Sequence, residues 1–339
     1  MSAARIRRAI VGSADRVSAG TGRVELLQIR TDADGAVAIA VIDAVETGPV
    51  AFAAAHPTLP IVYVASQDAG QGVVTAYALE DGGLRELSAG RAAGGPAHLA
   101  VSSDGRHVLT ADYGSSSVTL YRLDPEGGIT DAVDQLRFEG SGVTPRQESP
   151  HPHQVLEVDG AFLVPDLGVD VVRRIEITSD GALRETDRFG LPAGSGPRHA
   201  VAVDGLLYVA CELSAEIRWD DLARPAGFTR GIRSSLTGAD EVAPSAIRLG
   251  DGTVVVGNRG PGTVLEATRT PDGLDDPRES GTGGTWPRDL VLDGELLLVA
   301  DSRGDVVTVS RAAEPPIALA THGVSGPNCV LVVDDVATR

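Results

Sequence analysis

The chain has 339 residues, 47 of them acidic and 29 basic, and every basic residue is arginine, so the net charge is −18. That acidity, with no basic stripe, excludes nucleic acid and an anionic membrane surface as partners. The absence of lysine excludes a Schiff base, a pyridoxal phosphate anchor and a phosphate-loop lysine. Glycine is abundant at 41 residues while aromatics make up only 4%, as expected of many short Val/Ala/Leu strands joined by tight turns.

Arg5, Arg7 and Arg8 precede an apolar run of only Ala9–Val11. That run is too short for a signal peptide, and no apolar stretch of about 18 residues follows, so a cytoplasmic protein is expected. Ala9–Gly12, Arg23–Ile29 and Ala36–Ile42 read as three short strands that lack an opening strand of their own. From there a turn ending in Pro, commonly Gly-Pro, opens an apolar run seven times, at Pro49, Pro96, Pro152, Pro197, Pro244, Pro287 and Pro327. A Gly-containing turn and a second run follow each time, and that run stops at a polar residue.

The marker separations of 47, 56, 45, 47, 43 and 40 residues fit the four-stranded blade of a propeller, a sheet that cannot bury its faces alone. Asp-Gly recurs at Asp81, Asp104, Asp159, Asp180, Asp204, Asp251 and Asp293 between apolar runs, which is a hairpin signal. Helix-period stretches are essentially absent. The loosest stretches are Asp124–Ser149, which accounts for the 56-residue separation, and Arg224–Val242. Six copies are complete and the seventh stops at Val333 after one strand. If Asn328–Val333 joins the three N-terminal strands, the ring closes and leaves no open sheet edge between first and last blades. The expected fold is therefore all-β, a single seven-bladed β-propeller domain over 1–339, its last blade closed by N- and C-terminal strands. Cys211 and Cys329, in the fourth and seventh repeats, are expected to be buried thiols held apart by the ring.

In a propeller blade the innermost strand runs from one face to the other and the next strand returns. The start of the first and the end of the second therefore share a face beside the central channel. The starts supply His98, His151, His153, Arg198, His199, Ser245, Arg288 and Asn328. The ends supply Gln67, Asp68, Asp112, Tyr113, Asp166, Glu212, Asn258, Arg259 and Asp301. His322, just before the seventh repeat, is placed near the same face. Strand ends are polar in any case, which accounts for the aspartates but less well for convergent His, Arg and Glu.

In Gly95-Pro96-Ala97-His98, Arg146-Gln147, Pro150-His151-Pro152-His153, Val164-Pro165-Asp166-Leu167-Gly168, Gly196-Pro197-Arg198-His199, Cys211-Glu212-Leu213, Gly257-Asn258-Arg259-Gly260, Trp286-Pro287-Arg288-Asp289 and Gly326-Pro327-Asn328-Cys329, the chain resembles the seven-bladed propeller lactonases. These include bacterial cycloisomerase-type 6-phosphogluconolactonases and the fungal 3-carboxy-cis,cis-muconate lactonising enzyme. Order and spacing together make the match specific. The resemblance implies a catalytic set of His153 (with His151 as the neighbouring possibility), Arg198, Glu212 and Arg259, and no metal or other cofactor. His98, His151, Asp166, His199, Asn258, Arg288 and Asp301 are expected to bind substrate. Asp301 stands where a neutral polar residue is commoner in that family, and so adds negative charge.

Opening a lactone needs a base to take a proton from water and positive groups to hold the developing oxyanion. A histidine of ordinary pKa is largely neutral near neutral pH, and two arginines from adjacent blades can fork onto a carboxylate, a phosphate or an oxyanion. The plain alternatives are a rim salt bridge for Arg198–Glu212 and a satisfied strand-start histidine for His153. As rim residues, His153, Arg198 and Arg259 would contribute little to stability. The expected partner is an acidic small molecule, and the protein is expected to act as a monomer or weak homo-oligomer. Hydrolysis and its reverse, lactonisation, share one site by microscopic reversibility.

Two other functions compete. A metal-dependent lactonase would use His151 and His153, which share a face if the strand between them is regular. A non-catalytic scaffold or small-molecule binding protein would need exposed aromatic patches, whereas this chain has two Trp, five Tyr and five Phe and a single Trp219-Asp220 dipeptide.

Overall fold

The computed structural model describes residues 4–92, 94–312 and 316–333. Among them, seven four-stranded antiparallel sheets form a seven-bladed propeller, and the only helical element is a single turn at Tyr113–Ser115. No helix among the described residues is long and apolar enough to cross a membrane. The innermost strands are Val50–Ala55, Pro96–Val101 and Leu156–Val158 in blades 1 to 3. They are Pro197–Val203, Ala243–Leu249, Pro287–Asp293 and Pro327–Val333 in blades 4 to 7.

Blade 7 closes as the repeat count requires. Pro327–Val333 is its inner strand and Arg5–Ala14, Gly22–Thr31 and Val37–Thr47 complete it. The pairing runs from Arg8 opposite Val333 to Gly12 opposite Cys329. These N-terminal strands extend beyond the segments expected from sequence. Arg5 and Arg7 belong to the first of them and reach Asp293 of blade 6, Arg7 by a hydrogen bond.

Burial explains the strand composition. The second strands of blades 3, 4 and 6, Ala161–Asp166, Leu206–Cys211 and Leu296–Asp301, are buried at every residue. A blade is covered on both faces near the channel, so its middle strands read as continuous apolar runs. The outermost strand Val37–Thr47 alternates between partly buried and exposed. The core is seven apolar clusters, one at each seam between neighbouring blades. Leu27 and Ile29 of blade 7, for example, pack with Leu298 and Val309 of blade 6.

At Asp159-Gly160 and Asp204-Gly205 both residues have positive φ, the backbone that matches the twist of a two-residue hairpin. The two loose stretches each contain a strand: Ile129–Arg137 is the outer strand of blade 2, and Arg230–Arg233 that of blade 4. Cys211 and Cys329 are buried and unpaired.

Candidate active site

A repeated irregularity at the start of the inner strands builds the site. Proline suits the first position of a strand, because it has no N–H to donate to the ladder. Immediately after that position the register slips, between Val50 and Phe52, Pro96 and His98, Pro197 and His199, and Pro287 and Asp289. In blade 7 Asn328 is the residue left out. In blade 3 Pro152 makes a lone bridge to Asp166 just before His153. A bulge leaves one residue unpaired and re-aims its side chain. Ala51, Ala97, His153, Arg288 and Asn328 accordingly line a cavity of about 380 Å³ at one mouth of the channel. Gln67, Tyr113, Glu212 and Arg259, from the returning strands, complete its polar wall.

Glu212, 7% exposed, is the centre of a cluster of arginines. Its Oε2 lies 2.6 Å from Arg259 Nη2 and 3.2 Å from Arg198 Nε, and its Oε1 lies 3.2 Å from Arg146 Nη2. Burial pushes the Glu212 carboxyl up, but Arg259, Arg198 and Arg146 outweigh it and hold the group below its ordinary value. It is a carboxylate at neutral pH. Arg259 also donates to the carbonyls of Ala243 and Pro244 at 3.1 and 3.3 Å, which fixes its fork. Burial first, and then Arg259, push Arg198 well below its ordinary value. Arg198, Glu212, Arg259 and His153 are thus buried side chains, which removes the premise, rim exposure, on which His153, Arg198 and Arg259 were expected to matter little for stability.

His153 lines the cavity, and its Nδ1 has no hydrogen-bond partner. Burial, then Arg198 and Arg288, lower its pKa well below the ordinary imidazole value, so it is neutral. His151 is engaged elsewhere. Its Nδ1–H donates to the Tyr113 carbonyl at 3.1 Å, its Nε2 lies 3.3 Å from Glu148, and its ring stacks on Tyr113. The two histidines would share a face only if the strand between them were regular. Pro152, held in its lone bridge, interrupts the strand between them; both rings contact Tyr113, and among the described residues they belong to no group of three or more that could hold a metal.

Three other residues expected to bind substrate, and His322, expected near the same face, have different work. Asp166 pairs with Arg173 at 2.8 Å and accepts the His151 and Gly168 N–H groups. Asp301 accepts the N–H groups of Thr285, Trp286 and Gly304 at 2.6 to 2.8 Å, so its charge is used on a turn and not in the cavity. Asn258 donates to the Ser234 carbonyl and is fully buried. His322 lies in the outer strand of blade 6, Ile317–Gly323, with Nε2 2.6 Å from Glu25 Oε2, at the seam with blade 7 instead of the channel mouth.

His98 sits one residue further along its strand than the lining residue Ala97, and His199 follows Arg198, which is buried behind Glu212 and does not line the cavity. His199 lies 5.3 Å from the His153 ring and 5.4 Å from that of His98, which stacks on Phe52. Both are buried supports beneath the site, and burial lowers both pKa values well below the ordinary one. Sequence reasoning did not assign Arg146 a place. The motif Arg146-Gln147 was visible, but only the fold shows that buried Gln147 pins the loop, donating to the Leu167 carbonyl at 2.9 Å while its neighbour reaches Glu212.

A closed ring with a neutral imidazole, an arginine cluster and a buried carboxylate at one channel mouth is a propeller with a small-molecule site. The chain belongs to the lactonase, 7-bladed beta-propeller family, whose model matches residues 8–333. It is 30% identical over 314 residues to the 6-phosphogluconolactonase of Bacillus subtilis, covering 86% of this chain and 90% of that one. A protein from Lactobacillus plantarum shares the fold at a TM-score of 0.86 and 23% identity, over 97% of this chain and 100% of that one. A periplasmic gluconolactonase from Pseudomonas aeruginosa shares it at 0.82 and 22%, over 97% and 99%.

Proposed function

We propose that the protein hydrolyses the ring ester of a lactone that carries an acidic group, without a metal ion, using His153 as the base. The observation that carries this reading is a neutral imidazole and an arginine cluster on the wall of one cavity. His153 takes a proton from water as the water oxygen bonds to the lactone carbonyl carbon. The carbonyl π electrons move onto oxygen, and Arg259, on the cavity wall and held together with buried Arg198 by Glu212, faces that oxyanion with a fixed donor. Collapse breaks the ring C–O bond, and the leaving alkoxide takes the proton back from His153, giving the open hydroxy acid. Glu212 stays ionised and orients the two arginines; it does not donate the proton. The same site run backwards closes a hydroxy acid.

The test is a panel of phosphorylated and unphosphorylated sugar lactones and muconate-type lactones, followed by acid release above the spontaneous rate. At least one should open faster with enzyme, and dialysis against a chelator should leave that rate unchanged. A rate restored only by an added divalent cation would favour a metal mechanism, and no acceleration on any lactone would sink the reading.

A further inference from the structure

Arg288 is the one cavity arginine with nothing to hold. Arg146, Arg198 and Arg259 all contact Glu212, but among the described residues Arg288 makes no ion pair and no hydrogen bond. Its neighbour Asp289 is committed elsewhere, to Arg248 at 2.5 Å and to the Val330 N–H at 3.1 Å. Burial, then the Arg259 charge, lower the pKa of Arg288. An arginine desolvated beside a second arginine is costly unless an anion compensates it. Glu212 cannot serve, since three guanidiniums already share it. The bulge in blade 6 nevertheless aims Arg288 into the cavity wall.

We propose that Arg288 is a specificity residue. It receives an oxyanion group of the lactone remote from the ester, a phosphate or a carboxylate, while Arg259, held with Arg198 on Glu212, serves the reacting carbonyl. This rests on the lactonase reading above and adds which end of the substrate each arginine serves. A guanidinium presents a planar fork that suits both kinds of oxyanion. The fixed group beside it, Asn328, has its amide committed to the Val50 carbonyl at 2.8 Å, which leaves the site cationic.

The experiment compares wild type, Arg288→Met and Arg288→Lys on a phosphorylated sugar lactone, its unphosphorylated counterpart and a carboxylate-bearing lactone. Wild type should prefer one or both anionic lactones. In Arg288→Met that preference in kcat/KM should shrink about 10- to 100-fold, the size of a charge-assisted contact, and Arg288→Lys should restore part of it. Whichever anionic lactone loses more identifies the group. Equal losses on charged and neutral lactones, or an unchanged preference, would overturn the proposal. Calorimetry with the open acids, phosphorylated and not, separates this from failure of the lactonase reading. If no lactone is opened, a phosphate- or carboxylate-dependent affinity that vanishes in Arg288→Met still supports Arg288, and its persistence refutes it. Thermal melting of each variant confirms folding.

Discussion

Arg259 and Glu212 form a 2.6 Å ion pair between the end of one blade's second strand and the position just after the corresponding strand of the blade before it. The site is therefore also a strap across the seam between blades 4 and 5. Among the described residues Glu212 is the one acid in ion-pair contact with Arg146, Arg198 and Arg259, so Glu212→Ala leaves three guanidiniums without that counter-ion. Removing one partner of a buried pair costs about 3–5 kcal/mol. Thermal and denaturant melts should show a loss of that order. Any activity in the folded fraction should also fall, because Arg198 and Arg259 lose the group that orients them. A variant as stable as wild type would show that the arginines find other partners.

His153→Ala should lower kcat about 10²–10⁴-fold, the usual cost of losing a general base, with a modest change in KM. The pH profile is the sharper readout. Burial and the neighbouring arginines hold the His153 pKa well below 6.5. The base is unprotonated above that lowered value, so kcat/KM should stay high as pH falls through 6.5 and decline only in more acid solution. An acid limb centred at or above 6.5 would assign the base elsewhere.

Much of this was legible in sequence because the repeat is periodic. Seven Pro-initiated runs set the blade count, and the unpaired Asn328–Val333 run set the closure. Strand direction put His153, Arg198, Glu212, Arg259 and Arg288 on one face among other polar strand ends, since a start and an end must share a face; the resemblance to the propeller lactonases singled them out. Strand direction cannot say whether a polar end turns into the channel or back onto its own turn. Asp166 and Asp301 turn back, onto backbone N–H groups, and so were over-assigned. His322 was misplaced for a related reason: the fourth strand of a blade ends on the same face as the second, but far from the channel. Arg146 arrives from a loop, where no periodicity constrains the chain.

Ring closure has its own test. Pro327–Val333 supplies the inner strand of blade 7, and Cys329 and Val333 pack with Ile10, Val24 and Val62 at the seam with blade 1. Ending the chain at Ser325 removes that strand and leaves the Arg5–Ala14 strand with one unpaired edge. Because each blade buries its faces only against its neighbours, cooperative unfolding should be lost, as followed by circular dichroism and hydrogen exchange. A truncated protein with the melting temperature of the full chain would show that closure contributes nothing.

The three imidazoles beneath and beside the cavity also predict how stability responds to acid. His98, His153 and His199 all have pKa values lowered well below 6.5, first by burial. Below pH 6.5 the unfolded chain binds protons at these positions and the folded one does not, so stability is lost as pH falls. Asp112, pushed up to about 7 by burial, acts in the opposite direction: it is protonated when folded and ionised when unfolded. Asp166, also raised by burial, shares that sign. These three protons contribute at most about 4 kcal/mol per pH unit; His107, lowered by partial burial, adds in the same direction, and the two carboxyls oppose them. The melting temperature should therefore fall between about pH 6.5 and 5, before most ordinary carboxylates titrate. His199→Phe, which removes one imidazole whose nitrogens have no partner, should flatten that fall. An unchanged slope in this variant would mean that His199 is protonated in the folded protein, and that the channel beneath the site is wetter than its burial implies.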